Sequence, residues 1–298
     1  MQRNNKIVSW LIAALLVGVT FGGVRADAGQ DAAEATRKDI AKTLGFVPRF
    51  FQVMADAAVS GMWTEMKGLQ LNPNSALPGK TKELVGLAVA AQVPCRYCIS
   101  AHTEFAKLNG ASEAEIAEAV AVGALARQFS AYTNGLSVDE ATFQSDLRRM
   151  LEAKPGQGSG GAIAVTDAAS ARKDIEQTLG FVPAFLAKIP ETALPGAWRE
   201  LKELRLSNTT LSGKVKALIA LAVASQIPSR MCIAAETELS KRNGASEREV
   251  AEAVGMAAIT RNMSTLLNGQ QTDEKQFNAD IARLVNGAKA AQKLAAKK

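Results

Sequence analysis

Several residue types are scarce in this chain of 298 residues. It contains one histidine, three cysteines and two tyrosines, and aromatic residues make up only 5% of it. So few aromatics, together with abundant alanine, favour helices over β-sandwiches and barrels. The proportions of hydrophobic residues (47%) and charged residues (21%) are those of a globular protein with a hydrophobic core. This balance excludes disorder of the whole chain, and the length allows two domains of ordinary size.

The apolar run near the N-terminus is too short to span a membrane comfortably. It covers residues 7–19, or 13 residues, whereas a transmembrane helix needs about 20. Arg3 and Lys6 precede it, and Val24-Arg25-Ala26 fits a small-x-small cleavage site. The pattern predicts a signal peptide over residues 1–26, cleaved after Ala26, and a secreted or periplasmic protein. An uncleaved anchor is the alternative. No later segment resembles a span, so we expect no stable membrane span.

The net charge of +6 gives little support to nucleic-acid binding. The predicted leader removes three basic residues and no acidic one, which leaves +3. Part of this remainder lies in a basic tail over residues 288–298, which is typical of a solvated helix end or a frayed terminus. No basic stripe carries interleaved aromatics, so we expect no nucleic-acid partner.

The remaining sequence is a tandem duplication. RKDIAKTLGFVPRF at 37–50 recurs as RKDIEQTLGFVPAF at 172–185, an offset of 135, and NGASE at 109–113 recurs at 243–247, an offset of 134. Between the copies, KPGQGSGGA has the composition of a flexible linker. We therefore predict a first lobe over 31–152, a linker over 153–165 and a second lobe over 166–287.

Both copies carry helix signals and no convincing strand pattern, so the predicted fold class is all-α. An apolar run with helical spacing follows Leu77-Pro-Gly, and Pro94 ends it and suits the first turn of a new helix. That helix should stop at Asn109-Gly110, and Ser112-x-x-Glu115 is a capping box for the next one. Ser246-x-x-Glu249 repeats the capping box.

The only histidine shares one helix face with two of the cysteines. Cys95, Cys98 and His102 are three, four and seven residues apart, which places them on the same side of a helix. The start of a helix favours a thiolate, and an imidazole one turn beyond Cys98 can take or relay its proton. Two cysteines at this spacing can close a disulfide after one is oxidised to sulfenic acid. Glu83, on the preceding helix, could orient His102.

This pattern resembles the AhpD-like and carboxymuconolactone decarboxylase family. The resemblance rests on Glu83, Cys95-Arg-Tyr-Cys98, His102 and the following Asn109-Gly-Ala-Ser, and it covers the middle of each copy. It implies an all-α oligomer, for which we expect a trimer of two-lobed chains. It further implies that Cys98 reacts with peroxide, that Cys95 resolves the product, and that Glu83 and His102 relay protons. Tyr97 stands where the best-known peroxidases of the family carry a second histidine, and we treat it as a possible accessory residue.

The second copy has lost most of these groups. Glu83 corresponds to Ala217, Cys95 to Ser229 and His102 to Glu236, and only Cys98 is matched, by Cys232. No disulfide can form within this site. We therefore predict a second lobe that acts as a structural partner with no redox cycle of its own, and a Cys232 that serves as a small buried hydrophobe.

The predicted function is that of an exported thiol-dependent peroxidase or disulfide oxidoreductase. It would reduce a small hydroperoxide, take electrons from an unknown thiol or disulfide reductant, and need no cofactor or metal. Three alternatives stay open for the cysteine pair and the chain: a structural disulfide in a non-catalytic assembly or binding protein, a zinc site with His102 and Glu83, and a decarboxylase-like lyase. The family resemblance implies that a lyase of that branch does not depend on a cysteine pair.

Overall fold

A computed structural model describes residues 26–152 and 163–297. The predicted leader up to Arg25 and residues 153–162 of the predicted linker lie outside these ranges. Within them the chain forms α-helices and no β-strand, so the predicted all-α class is confirmed. The helices are α1 (Ala26–Leu44), α2 (Arg49–Gln52), α3 (Asp56–Gly68), α4 (Gly79–Gln92), α5 (Arg96–Leu108), α6 (Glu113–Gly135), α7 (Glu140–Glu152), α8 (Ala168–Leu179), α9 (Ala184–Ala187), α10 (Leu194–Leu201), α11 (Gly213–Gln226), α12 (Arg230–Arg242), α13 (Glu247–Gly269) and α14 (Glu274–Ala295), with a π-helical segment over Lys202–Leu206.

The predicted end of α5 and the two predicted capping boxes are confirmed, whereas Pro94 precedes the N-cap residue Cys95 and does not lie in the first turn of α5. The helix with the cysteine pair, α5, ends at Leu108 with Asn109 as its C-cap. The hydroxyl of Ser112 accepts from the Glu115 N–H, and the Glu115 carboxylate accepts from the Ser112 N–H. Ser246 and Glu249 form the same reciprocal pair at the start of α13. These caps satisfy N–H groups that have no partner within a helix.

Two helices that are buried on all sides occupy the centre of the molecule. Every residue from 81 to 90 in α4 is buried, and so is every residue from 216 to 224 in α11. A helix with no solvent-exposed side over this length is surrounded by other elements. Accordingly α4 and α11 contact each other, α6 packs against both of them, and so does α13. A single core thus joins the two sequence copies.

The last helix of each copy packs against the opposite copy. Helix α14 contacts α2 and α5, whereas α7 contacts α9 and α12. Phe277 and Ile281 of α14 therefore belong to the same apolar cluster as Phe50, Phe51 and Trp63. The equivalent cluster of the other half contains Phe143, Leu147, Phe185 and Trp198. The copies are interleaved, so the boundary between them in sequence is not a boundary between packing units.

We call this packing of α7 and α14 against the opposite copy the helix exchange. Two carboxylates at equivalent positions of the two copies stabilise it. Asp280 on α14 accepts a hydrogen bond of 2.7 Å from the N–H of Arg49 at the start of α2. Its counterpart Asp146 on α7 accepts from the N–H of Ala184 at the start of α9, also at 2.7 Å. Each acidic side chain satisfies an N–H at the start of a helix from the other copy.

A second pair of carboxylates holds the loops that precede α4 and α11. Glu252 on α13 accepts from the N–H groups of Ala76 and Leu77, both at 2.8 Å. Glu118 on α6 occupies the equivalent position and accepts from the N–H groups of Thr210 and Leu211. Burial by itself would raise the pKa of Glu252, but its hydrogen bonds lower that pKa below the usual value. This arrangement stabilises the carboxylate form.

The basic tail is a helix end over most of its length, which is one of the two alternatives that the sequence allows. Helix α14 continues to Ala295, so residues 288–295 are its last turns. In the described part of the chain, no helix combines the length and the apolar character that a membrane crossing requires.

Candidate functional site

The two cysteines lie at the start of α5. Cys95 is the N-cap residue, and its Sγ atom accepts a hydrogen bond of 3.2 Å from the N–H of Cys98. The two side chains form a disulfide bond. Cys95 is completely buried, whereas Cys98 lines a cavity and is 4% exposed. Cys98 is therefore accessible from the cavity, whereas Cys95 is not.

Glu83 lies directly against His102. Its Oε2 atom is 2.7 Å from His102 Nδ1, and both side chains are buried. The amide of Gln70 donates to the same carboxylate, at 3.1 Å to Oε1. With Glu83 ionised, Nδ1 carries the proton and donates to it, which leaves Nε2 free to accept or transfer a proton.

The histidine ring packs against a glycine of the central helix. A β-carbon on Gly86 would lie within 2.7 Å of His102 Nδ1, Nε2 and Cε1, far closer than van der Waals contact allows. The position equivalent to Gly86 in the second copy is Ala220, where the histidine is replaced by Glu236. Gly86 therefore makes room for the imidazole.

The second copy contributes directly to this site. Thr260 Oγ1 of α13 lies 3.2 Å from His102 Nε2, so its hydroxyl can donate to the free ring nitrogen.

Tyr97 does not line the cavity. Its hydroxyl donates to the carbonyl oxygen of Thr272 at 2.6 Å, and its ring packs edge-on against Phe277. These two contacts of Tyr97 link the start of α5 to the turn before α14 and to α14 itself.

The cavity beside Cys98 has a volume of about 750 Å³. Cys98, His102 and Glu83 supply part of its lining, and most of the remaining walls are apolar. Those walls come from both copies and include Phe50, Trp63, Met66, Phe105, Met263, Leu267, Phe277 and Ile281. The volume and lining are those of a site for a small molecule with an apolar body.

The described residues show no group of three or more His, Cys, Asp or Glu side chains placed to hold a metal ion. Cys95 and Cys98 are bonded to each other, and Glu83 is engaged with His102 and Gln70. The site thus consists of a disulfide-bonded cysteine pair beside a carboxylate–imidazole pair.

The equivalent place in the second copy has a different chemistry. Glu236 forms an ion pair of 2.6 Å with Arg205, which stands at the position of Gln70. Burial raises the pKa of Glu236, and Arg205 acts in the opposite direction. Cys232 is a free thiol whose pKa burial also raises. Ser229 occupies the position of Cys95.

The sequence predicts that Glu83, Cys95, Cys98 and His102 lie together, and it does not predict three of their neighbours. Gln70, Gly86 and Thr260 contact this group, and each differs from its counterpart in the other copy: Arg205, Ala220 and Ala126. Scaffold positions are mostly kept between the copies. A comparison of the two copies for isolated differences could therefore have found these residues.

Comparisons with known proteins give one partial sequence match and one structural match. A 61-residue segment is 38% identical to a protein of Paracoccus denitrificans named "Uncharacterized protein 4 in cox locus", and the match covers 20% of this chain and 55% of that protein. A solved structure, described as a gamma-carboxymuconolactone decarboxylase subunit from Burkholderia xenovorans, is 16% identical with a TM-score of 0.49. That alignment covers 89% of this chain and 98% of the other.

The sequence profile of the Carboxymuconolactone decarboxylase family matches residues 57–141 and 192–269. These two segments fall in the two copies and together make up more than half of the chain. The protein therefore belongs to the carboxymuconolactone decarboxylase family.

Proposed function

We propose that this protein is a thiol-dependent peroxidase that reduces organic hydroperoxides and is recycled by a dithiol. The observation that carries the proposal is one cavity that holds Cys98, disulfide-bonded to Cys95, together with His102 bonded to Glu83. A thiol pair able to cycle and a buried proton carrier are the groups that peroxide reduction requires.

Cys98 is the thiol that meets the peroxide, because it lines the cavity and Cys95 does not. The Cys98 thiolate attacks one peroxide oxygen, the O–O bond breaks, and the alkoxide leaves as an alcohol after it gains a proton. The sulfur becomes a sulfenic acid, oxidised by two electrons. Cys95 then attacks this sulfur, the S–S bond forms, and the hydroxyl leaves as water. A dithiol returns two electrons and two protons to restore both thiols.

His102 and Glu83 manage the proton in this cycle. Glu83 fixes the ring with its proton on Nδ1, so Nε2 is the atom that takes the proton of Cys98 and later gives it to the leaving oxygen. Thr260 and Gln70 position this pair from either side. The backbone N–H groups at the start of α5 favour the thiolate at the same time.

The walls of the cavity favour an organic peroxide over hydrogen peroxide. Aromatic and aliphatic side chains of both copies surround the polar group, so an apolar substituent would be buried on binding. We therefore expect an alkyl or aryl hydroperoxide to be the better substrate.

The test is peroxide consumption by single variants of the three cysteines. With cumene hydroperoxide and dithiothreitol, C98S should lose turnover. Without dithiothreitol, pre-reduced C95S should consume one equivalent of peroxide and then stop at the sulfenic acid. C232S is the matched control and should stay active, because Cys232 lies outside this cavity. Full turnover by C98S would contradict the proposal, as would an inactive wild-type protein.

Two further expectations belong to the proposal. The first is export, since the predicted leader would bring the thiols to an oxidising compartment. The N-terminal sequence of protein from the periplasmic fraction should begin after Ala26.

The second expectation is a trimer of two-lobed chains, as the family resemblance implies. A monomer mass in solution at micromolar concentration would contradict it.

A further inference from the structure

We infer that the second copy contains a binding site for a small uncharged molecule with an apolar body and a terminal hydroxyl group. A cavity of about 480 Å³ lies at the position equivalent to the peroxidase site. This volume falls within the range of about 300–1,000 Å³ that is usual for ligand pockets. No residue lines both cavities, so this site is distinct from the one beside Cys98.

The walls of this second cavity are apolar and come from both copies. Phe129, Phe143 and Leu147 belong to the first copy, and Phe185, Leu201 and Leu239 belong to the second. Helix α7 supplies part of the wall of this cavity, as α14 does in the first cavity. An apolar body of the ligand would be removed from water here, which provides the driving force for binding.

The polar end of the cavity is the ion pair between Arg205 and Glu236. Their side chains are only 10% and 15% exposed, and Arg205 Nη2 lies 2.6 Å from Glu236 Oε2. Arg205 lies on the π-helical segment over Lys202–Leu206, a distortion that often occurs at functional sites. Among the described residues, no hydrogen bond reaches Glu236 Oε1.

These groups select an uncharged ligand. Arg205 and Glu236 already neutralise each other, so a carboxylate or ammonium group would bring a charge without a buried partner. Arg242 also lines the cavity, but it is exposed and stays in water. A hydroxyl group can donate to Glu236 Oε1 and accept from a free N–H of the guanidinium at the same time. The ligand class is therefore an alcohol or a phenol with an apolar body.

This inference does not depend on the proposed peroxidase. The second cavity contains Cys232 but no second cysteine, and it has no histidine. The second cavity would bind its ligand whether or not Cys98 has peroxidase activity.

The experiment is a calorimetric titration of the full-length protein with 1-octanol, octanoate and octylamine. Octanol should bind saturably and more tightly than either charged analogue. Ala235→Trp fills the second cavity, and Ala101→Trp fills the first at the equivalent position. The first substitution should abolish octanol binding at this site, and the second should leave it.

A second variant and a second readout protect the test against misfolding. In R205L/E236L an apolar pair replaces a buried ion pair, a change that is often neutral or stabilising. It should lower octanol affinity about tenfold through the loss of the hydroxyl's hydrogen bonds.

When Cys95 and Cys98 are disulfide-bonded, Cys232 is the remaining thiol of the three. Octanol should therefore slow its alkylation by N-ethylmaleimide.

Three results would overturn the inference. The first is the absence of saturable octanol binding. The second is binding that Ala101→Trp abolishes and Ala235→Trp does not, which would assign the ligand to the first cavity. The third is tighter binding of octanoate than of octanol, which would refute the uncharged ligand class.

Discussion

The imidazole of His102 fits against α4 because residue 86 is glycine. A β-carbon at this position would overlap the ring. The second copy has alanine at the same place and no histidine opposite to it. The two residues thus depend on each other across two helices.

Gly86→Ala should displace His102 from Glu83 and lower peroxide turnover at least tenfold, since general acid–base groups contribute about 10²–10⁴ in rate. In an H102A background the same change should stabilise the protein by up to about 1 kcal/mol, because alanine is the better helix former. Peroxide assays and urea unfolding of G86A, H102A and G86A/H102A check both parts. A G86A protein with full activity would show that the ring can move without loss. Ala220→Gly is the matched change in the second copy and should leave activity unaltered.

Glu83→Gln should reduce turnover because a neutral amide no longer fixes the proton on Nδ1 or stabilises the imidazolium. We expect a loss of at least tenfold in kcat, with little change in KM, since Glu83 acts through His102 on the proton transfer. Q70L removes only the hydrogen bond to Glu83 and should cost less. Steady-state kinetics with cumene hydroperoxide measure both variants. Full turnover by E83Q would argue that Glu83 has only a packing role.

Thr260→Val tests whether the second copy takes part in the chemistry of the first. Valine keeps the shape of threonine and removes the hydroxyl near His102 Nε2. Turnover should change severalfold and its pH profile should shift, while the free energy of unfolding changes little. Ala126→Thr, at the equivalent position facing the second cavity, is the control and should leave the pH profile of turnover unchanged.

Glu252→Gln should weaken the contact between α13 and the loop before α4 by about 1 kcal/mol at pH 7. Because folding lowers the pKa of Glu252 below 4.5, its carboxylate stabilises the fold above that pH. The contribution is lost as the pH falls from 4.5 through the folded pKa. The difference in unfolding free energy between wild type and E252Q should therefore shrink in acid. Urea unfolding at several pH values measures it, and a difference that grows in acid would contradict the assignment.

Much of the local structure follows from the sequence. Capping residues such as Ser112 and Asn109 act through their own neighbours, so the limits of α5 and α6 could be predicted. The spacing of Cys95, Cys98 and His102 fixes their shared face, because helical geometry is uniform. The corner around Pro94 then brings Glu83 to His102, as expected.

The exchange of α7 and α14 could not be predicted in this way. Phe277 and Phe143 are apolar residues on amphipathic helices, and their pattern does not say which copy they pack against. That choice depends on the summed contacts of both copies, such as those of Asp280 with Arg49 and of Asp146 with Ala184. Thr260 was missed for the same reason.

Fusion of the two copies into one chain gives this architecture a freedom that a pair of identical subunits lacks. In a homodimer every substitution appears in both halves, so a change that suits one site is imposed on its twin. Here His102 and Glu236 occupy matching positions, and each can be selected separately. The exchanged helices nevertheless tie the halves together, since loss of either half would remove a wall from the other's cavity. Duplication has thus let the sites diverge while neither half can be discarded.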